Sequence, residues 1–436
     1  MANEWRIARV GDLAHSVSET HRLGKERLIF LNTSDILLGK ILHHRYSETR
    51  DWPGQAKKSI QKDDILFSEI RPANGRFAYV DIEADDYVVS TKLMVIRARK
   101  DQVLPKFLYH FLTSKKITGW LQHLADSRSG TFPQITFDQV AELEMPLPPP
   151  SHQAKIASFL DEIDGKIQRN TRMGETLQAI ARAIFRSWFV DFDPVHAKAE
   201  GHDPGLTKPV ADLFPDCFED SELGEIPKGW RVTPIGDLAE VVGGSTPSTK
   251  EPAFWETGIN HWATPKDLSA LRTPVLLTTE RKITDAGLYQ ISSGLLPAGT
   301  VLLSSRAPIG YRAVTEIPVA INQGFIAMRP QQDVSNLFVL LWTEWAHDEI
   351  LSRANGSTFL EISKAHFRPI PVINPGPAVF HAFDSIVRPL YLRLVANERQ
   401  SCALTELREG LISKLISGEV RVPGTVAGFE EGNLQP

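Results

Sequence analysis

The sequence predicts an α/β protein with two similar globular domains in tandem. A long helix follows each domain, and the two helices pack together as a coiled-coil spacer with pseudo-two-fold symmetry. Three observations carry this expectation. Trp5-Arg6-Ile7 with Val10-Gly11-Asp12-Leu13-Ala14 returns in the second half of the chain as Trp230-Arg231-Val232 with Ile235-Gly236-Asp237-Leu238-Ala239, in identical spacing. Each copy closes on a proline-rich exit, Pro146-Leu147-Pro148-Pro149-Pro150 in one and Pro369, Pro371, Pro375 and Pro377 in the other. Beyond each exit the apolar residues recur in alternating steps of four and three, the seam of a coiled-coil helix. Self-similarity of this kind marks a tandem duplication.

The first domain, residues 1–150, mixes short β-branched runs with short helical ones. Ile65-Leu66-Phe67-Ser68, Tyr87-Val88-Val89 and Leu93-Met94-Val95-Ile96 are bounded by Gly, Asn and Pro and read as strands, while Lys106–Leu112 reads as a helix. The second domain, residues 229–376, repeats the plan: Val301-Leu302-Leu303-Ser304 matches the first strand, and Asn336–Trp342 reads as a helix. Gly130-Thr131-Phe132 with Ile135 parallels Ser357-Thr358-Phe359 with Ile362. Residues 191–228 are expected to form an acidic linker, since residues 201–228 hold two lysines against seven carboxylates. Residues 418–436 form a C-terminal tail.

The spacer helices are expected over 151–190 and 377–417. In the first, Ile156, Leu160, Ile163, Ile167, Asn170, Gly174, Leu177, Ala181, Ile184 and Trp188 form the seam. In the second, Phe383, Val387, Leu390, Leu394, Asn397, Ser401 and Leu404 follow the same steps, each at one constant offset from a counterpart in the first. Asn170 and Asn397 are thus equivalent. A buried Asn on an apolar seam costs stability but specifies register, because only one alignment gives its amide a partner; two solvent-facing Asn at a break in the seam would be the other arrangement. Pro389 is expected to start or kink the second helix. A helix from Ser151 to Ser187 would span ~55 Å at 1.5 Å per residue, more than one ~34 Å turn of B-DNA.

Composition narrows the class. The 436 residues suggest two to four domains at roughly 100–200 residues each, and 42% hydrophobic with 23% charged residues is near the globular average. No stretch approaches the ~20 apolar residues of a membrane span, and the chain is expected to be cytoplasmic. Cys217 and Cys402 are too few and too separated for a disulfide framework or a zinc site. The net charge of −5 neither favours nor excludes a nucleic-acid partner, because the acidic excess sits in residues 201–228.

Ile184-Phe185-Arg186-Ser187-Trp188-Phe189-Val190-Asp191-Phe192-Asp193-Pro194, Gly224-Glu225-Ile226-Pro227-Lys228-Gly229-Trp230 and Lys414-Leu415-Ile416-Ser417-Gly418-Glu419-Val420-Arg421-Val422, with the duplication, resemble type I restriction–modification specificity subunits over essentially the whole chain. The resemblance implies two target-recognition domains, each reading half of a bipartite double-stranded DNA target. It further implies helices that dock two methyltransferase subunits, assembly with restriction/translocase subunits, and no catalytic residue, metal or cofactor in this chain. S-adenosylmethionine, ATP and Mg2+ would serve the other subunits. The chain agrees in lacking Gly-x-x-x-x-Gly-Lys-Ser/Thr, Asn-Pro-Pro-aromatic and His-Glu-x-x-His runs. The competing classes are a stand-alone DNA-modifying enzyme, which the missing catalytic motifs oppose, and a coiled-coil scaffold without DNA binding.

Candidate DNA contacts are polar residues in turns that both copies share. Arg71, Asn74 and Arg76 lie in one turn, with side chains suited to guanine and adenine edges, and Arg306, Tyr311 and Arg312 occupy its counterpart. Arg precedes the turn in both, and Gly75 and Gly310 are expected to be structural. Ser90 and Lys92 pair with Asn322 and Gln323 before a hydrophobic strand, where contact or strand capping are both open. Arg128 and Asn355 lie in a third pair of loops, suited to phosphate. His43-His44 lacks a third metal ligand nearby, and Asp63, Asp64 and Glu69 lack the lysine a nuclease site would use. Trp188, Phe189 and Phe192 are expected in a core or subunit interface.

Overall fold

The structure is a computed structural model that describes residues 5–22, 24–54, 56–127, 133–356 and 360–422. In each domain the repeated opening segment finds its partner at the far end of the same domain. Arg6–Arg9 pairs antiparallel with Glu144–Leu147, and Arg231–Pro234 with Pro371–Asn374. The opener and the proline exit are therefore two halves of one clasp. The helical turn after each opener buries Val10 and Leu13, or Ile235 and Leu238. Its glycine lies against the segment just before the exit strand: a Cβ on Gly11 would meet Ala141 Cβ at 3.0 Å, and one on Gly236 would meet Arg368 Cβ at 3.2 Å.

The chain divides into two compact units, Met1–Ile167 with Cys402–Pro436, and Gln168–Ser401. In the first, an antiparallel sheet runs in the order Ala14–Val17, Leu93–Ala98, Ile65–Ser68, Phe77–Tyr79. A second sheet runs Ser47–Glu48, Arg27–Leu31, Tyr87–Ser90, Ala56–Ser59, with its central pair parallel. The second unit has the sheets Ala239–Gly243, Phe325–Pro330, Val301–Ser305, Ile309–Thr315, Val275–Leu276 and Arg281–Ile283, Asn260–Ala263, Ala320–Ile321, the latter again with one parallel pair, Asn260–Ala263 with Ala320–Ile321. Central strands such as Ile65–Ser68 and Val301–Ser305 are buried throughout, which explains their unbroken apolar runs. The helices Pro105–Leu112 and Asn336–Trp345 cover the sheets with Phe107 and Phe338 fully buried; each such side chain contributes about 1.5–3 kcal/mol.

Residues 191–228 are not a linker. They fold as the helices Asp193–Ala199 and Lys208–Ala211 and the hairpin Phe218–Ser221 with Gly224–Pro227. The reason is apolar: Phe214 and Ile226 join Trp188, Phe189, Phe192 and Trp230 in one buried cluster, with Trp188 and Phe214 in edge contact at 5.0 Å. The acidic residues occupy the solvent side of that layer, so charge count alone mistook its outer surface for an open chain.

The long helices run Pro150–Phe189 and Pro377–Ser417, each with proline in its first turn, where a missing N–H costs nothing. The second continues through Pro389. A proline there forfeits about 3 kcal/mol, and burial of Val387 and Tyr391 beside it offsets the loss. In the second unit Gly174 meets Leu394 and Phe185 meets Phe383, so the helices are antiparallel. In the first unit Asp164 meets Arg408, and Ile156 and Leu160 share a core with Ile412 and Leu415, in the same sense. Among the described residues no helix is long and apolar enough to cross a membrane.

Candidate nucleic-acid interface

In the first unit the strand Ile65–Ser68 leads into a tight turn. Arg71 adopts a left-handed conformation (φ 46°), Pro72–Asn74 forms a 3-10 turn and Gly75 follows at φ 69°. Only glycine is comfortable at that last position, since a Cβ would also overlap Leu38. Ala73 N–H donates to Gln122 Oε1 of the helix Lys115–Ser127 at 3.2 Å, seating the turn. Arg71 and Asn74 point to solvent. Arg76 does not: its guanidinium donates to the carbonyls of Ser34 (2.9 Å) and Ile36 (3.1 Å) and ties down a neighbouring segment.

Ser90 is fully buried, with its hydroxyl accepting from Lys92 N–H at 3.3 Å. This corrects its assignment as a DNA contact: the side chain shapes the turn from inside. Lys92 is half-buried and Lys57 exposed. Lys58 donates to the Leu93 carbonyl at 2.8 Å, and burial lowers its pKa despite the nearby Glu69. Arg128 lies outside the described residues.

The second unit repeats this frame with different side chains. Ile135 and Ile362 donate equivalent backbone bonds to Glu69 and Ser305 at 2.9 and 3.0 Å. That register pairs Arg306 with Ile70, and it pairs Ala307 (φ 51°, before Pro308) with Arg71. The two arginines are therefore not equivalent, which corrects the match made on sequence. Arg306 instead faces Glu361 at 3.5 Å. Arg312 turns inward, 3.2 Å from Glu344, and burial lowers its pKa ahead of the opposing pull of that carboxylate. It leaves the set of outward candidates. Tyr311 is half-buried against the sheet core, and its N–H donates to Ser304 Oγ.

Asn322 accepts from Gly324 N–H at 2.9 Å, the counterpart of the Ser90 bond, so this repeated polar position forms a turn in both units. Gln323 is the exposed neighbour, and Thr246 Oγ1 donates to its Oε1 at 2.6 Å. Asn355 is exposed, with its amide nitrogen 2.9 Å from His366 Nδ1. Three residues that the sequence reading passed over join Gln323 here. Ser245 donates to the Gln290 carbonyl at 3.3 Å, and Tyr289, next to Gln290, is 89% exposed. Gly244 makes the convergence possible, because a Cβ there would lie 1.9 Å from the Ile321 carbonyl oxygen. The run Gly243-Gly244-Ser245-Thr246-Pro247, directly after a strand, was a loop signal that could have drawn attention.

The seam asparagines are 4% exposed, and Asn170 Nδ2 donates to the Asn397 carbonyl (3.3 Å), Gln400 Oε1 (3.0 Å) and Ser401 Oγ (3.2 Å). Asp64 is held by Arg97 through two bonds of 2.8 and 2.9 Å, and Asp63 by Lys100 and Tyr79, so these carboxylates serve the fold. His43 faces Asp35 and His44 faces the Tyr87 hydroxyl, each with its own partner.

Residues 3–179 and 227–377 match the type I restriction modification DNA specificity domain. The chain belongs to this family. It is 32% identical to the type I restriction enzyme HindI specificity subunit of Haemophilus influenzae over 467 aligned positions, covering 96% of this chain and 100% of the relative. It is 27% identical to the MjaIX specificity subunit of Methanocaldococcus jannaschii, covering 74% and 71%. The crystal structure of the S subunit of a type I restriction–modification system from M. genitalium shares the fold, with TM-score 0.54, 16% identity and coverage of 94% and 96%.

In this specificity subunit the outward polar groups differ between the domains. The first presents Arg71 and Asn74 with Lys57; the second presents Gln323, Thr246, Tyr289 and Asn355. One frame thus carries two unlike sets of outward side chains.

Proposed function

We propose that this chain is the DNA-recognition subunit of a type I restriction–modification complex, acting in the cytoplasm. Each domain reads one half of a bipartite target, and the helices dock two methyltransferase subunits; restriction/translocase subunits complete the assembly. The observation that carries this reading is the duplicated frame with unlike outward side chains. Two similar folds that present different donors and acceptors are suited to two different base sequences, so the target is asymmetric. Arg71 suits a guanine edge or a phosphate, and the Gln323 amide suits an adenine edge or another acceptor.

The chemistry belongs to the partners. Of the carboxylates singled out on sequence, Asp64 is held by Arg97 and Asp63 by Lys100 and Tyr79. S-adenosylmethionine, ATP and Mg2+ are assigned to the methyltransferase and nuclease subunits. Co-expression with the methyltransferase subunit and genome-wide mapping of methyladenine tests the reading. Two short unlike half-sites at a fixed gap, modified only when both proteins are present, are expected. Modification without the partner, or a palindromic target, would overturn it.

A further inference from the structure

Within the second unit, both long helices, the helix Asn336–Trp345 and the segments 268–274 and 310–312 line a cavity of about 220 Å3 that is partly open to solvent. Leu177, Ala181, Leu341, Leu394 and the ring of Tyr391 form its walls, and Arg182, Arg272, Arg312 and Glu344 stand at its rim.

The first unit has the same place, filled. The offset that relates Asn170 to Asn397 also relates Ala181 to Arg408 and Asp164 to Tyr391, so each of these pairs shares one position of the repeat. His110 and Leu341 hold the same step of the short covering helix, one turn past the buried Phe107 and Phe338. In the first unit Arg408 pairs with Asp164 at 2.8 Å and approaches His110 at 3.5 Å, and all this is packed. Replacing the arginine by alanine and the aspartate by tyrosine exchanges a buried ion pair for a methyl group and a phenol ring, which makes the walls apolar. The apolar lining of the pocket is thus a product of the sequence differences between the copies.

Its lining carries net positive charge. Glu344 is shared by Arg182 (2.8 Å) and Arg312 (3.2 Å), and Arg272, exposed, lines the same pocket. The other carboxylate close by, Glu316, is engaged by the Tyr391 hydroxyl (2.9 Å) and Arg399 (3.3 Å). Since a dry cavity of ~150 Å3 accepts benzene, this one has room for a longer chain. We propose that the cavity binds a small amphipathic anion, an aliphatic carboxylate of roughly eight carbons, with its tail between the helices and its head at Arg182 and Arg312. The site does not depend on which loops meet DNA.

Calorimetric titration of the full chain with octanoate, with octan-1-ol as the neutral control, tests the proposal. Saturable one-to-one octanoate binding is expected, at least tenfold tighter than octanol. Arg312→Gln should weaken octanoate at least tenfold while leaving octanol unchanged. The double variant Ala181→Arg with Tyr391→Asp, which transplants the ion pair of the first unit into the apolar lining, should abolish both. Absence of saturable binding to the wild-type chain overturns the proposal, as does unchanged binding in a folded double variant. If that variant does not fold by circular dichroism, Arg312→Gln decides alone. Loss of octanoate binding when the methyltransferase partner is added would assign the cavity to a protein side chain and also overturn it.

Discussion

The side-chain amide of Asn170 donates to the backbone carbonyl of Asn397, the residue at its own position one repeat later. The reverse bond is not made: Asn397 Nδ2 is buried without a hydrogen-bond partner among the described residues. Two positions that are equivalent in sequence therefore carry unequal loads. Asn170 satisfies Gln400 and Ser401 as well, whereas the Asn397 side chain bears a desolvation cost.

Asn170→Leu should lower stability by about 1–3 kcal/mol, because it strips the buried Asn397 carbonyl and the part-buried Ser401 hydroxyl of a donor. Asn397→Leu should be neutral or stabilising. Thermal unfolding of the two variants side by side checks this, and equal losses would refute the asymmetry.

Arg71 and Arg76 should separate binding from folding. Arg71→Ala removes an exposed guanidinium and is expected to weaken DNA binding of the assembled complex by about 1–3 kcal/mol without moving its melting temperature. Arg76→Ala removes two bonds that hold Ser34 and Ile36, so the melting temperature should fall. Binding isotherms at fixed salt and melting curves together make the test; a reversed pattern would exchange the two roles.

Gly244→Ala should cost the second domain about 1–3 kcal/mol through overpacking against the Ile321 carbonyl. Because the loop it seats carries Ser245 and Thr246, methylation of the bipartite target should fall with it. Gly205→Ala, at a glycine with open space around it but φ of 69°, provides a control in which only backbone strain is introduced. Limited proteolysis of the 243–250 loop reads the difference.

Acid should loosen the first unit partly through Asp161. Burial pushes this carboxyl up, but hydrogen bonds from His110 (2.9 Å) and Lys106 (2.6 Å) outweigh it and hold the pKa below the ordinary value of 3.8. A carboxylate depressed in the folded state stabilises above its unfolded pKa and loses that contribution as pH falls through its folded one. The gap in melting temperature between wild type and Asp161→Asn should thus be largest near neutrality and close below about pH 4. A gap independent of pH would place the loss in packing instead.

The duplication, the clasp segments and the helical seams were legible because each rests on short-range spacing. Trp5 and Trp230 announce the openers, and the four-three steps announce the helices, wherever the rest of the chain lies. The folding of residues 191–228 was not legible, because Phe214 and Ile226 are scattered among carboxylates and gain their meaning only from Trp188 and Trp230. The polar candidates were half legible. Ser90 and Asn322 were found as a repeated pair, but a polar residue at a strand end reads the same whether it bonds inward or faces solvent.

By itself the sequence determined the architecture: two copies of one domain, each with the same opening segment and a proline-rich exit, and two seam-bearing helices with matched asparagines. Periodicity and local turn chemistry are properties of neighbouring residues, and they survive without knowledge of long-range contacts. Only the tertiary structure decided which side chains remain free to meet a partner. Arg71 lies in one turn and Arg312 in the strand that follows its counterpart, yet Glu344, on the helix that covers the sheet, draws Arg312 inward while Arg71 keeps to solvent. Ala181 and Arg408 occupy one seam position, yet one lines an apolar pocket and the other pairs with Asp164, because burial and charge pairing are settled by segments that the chain brings together from far apart.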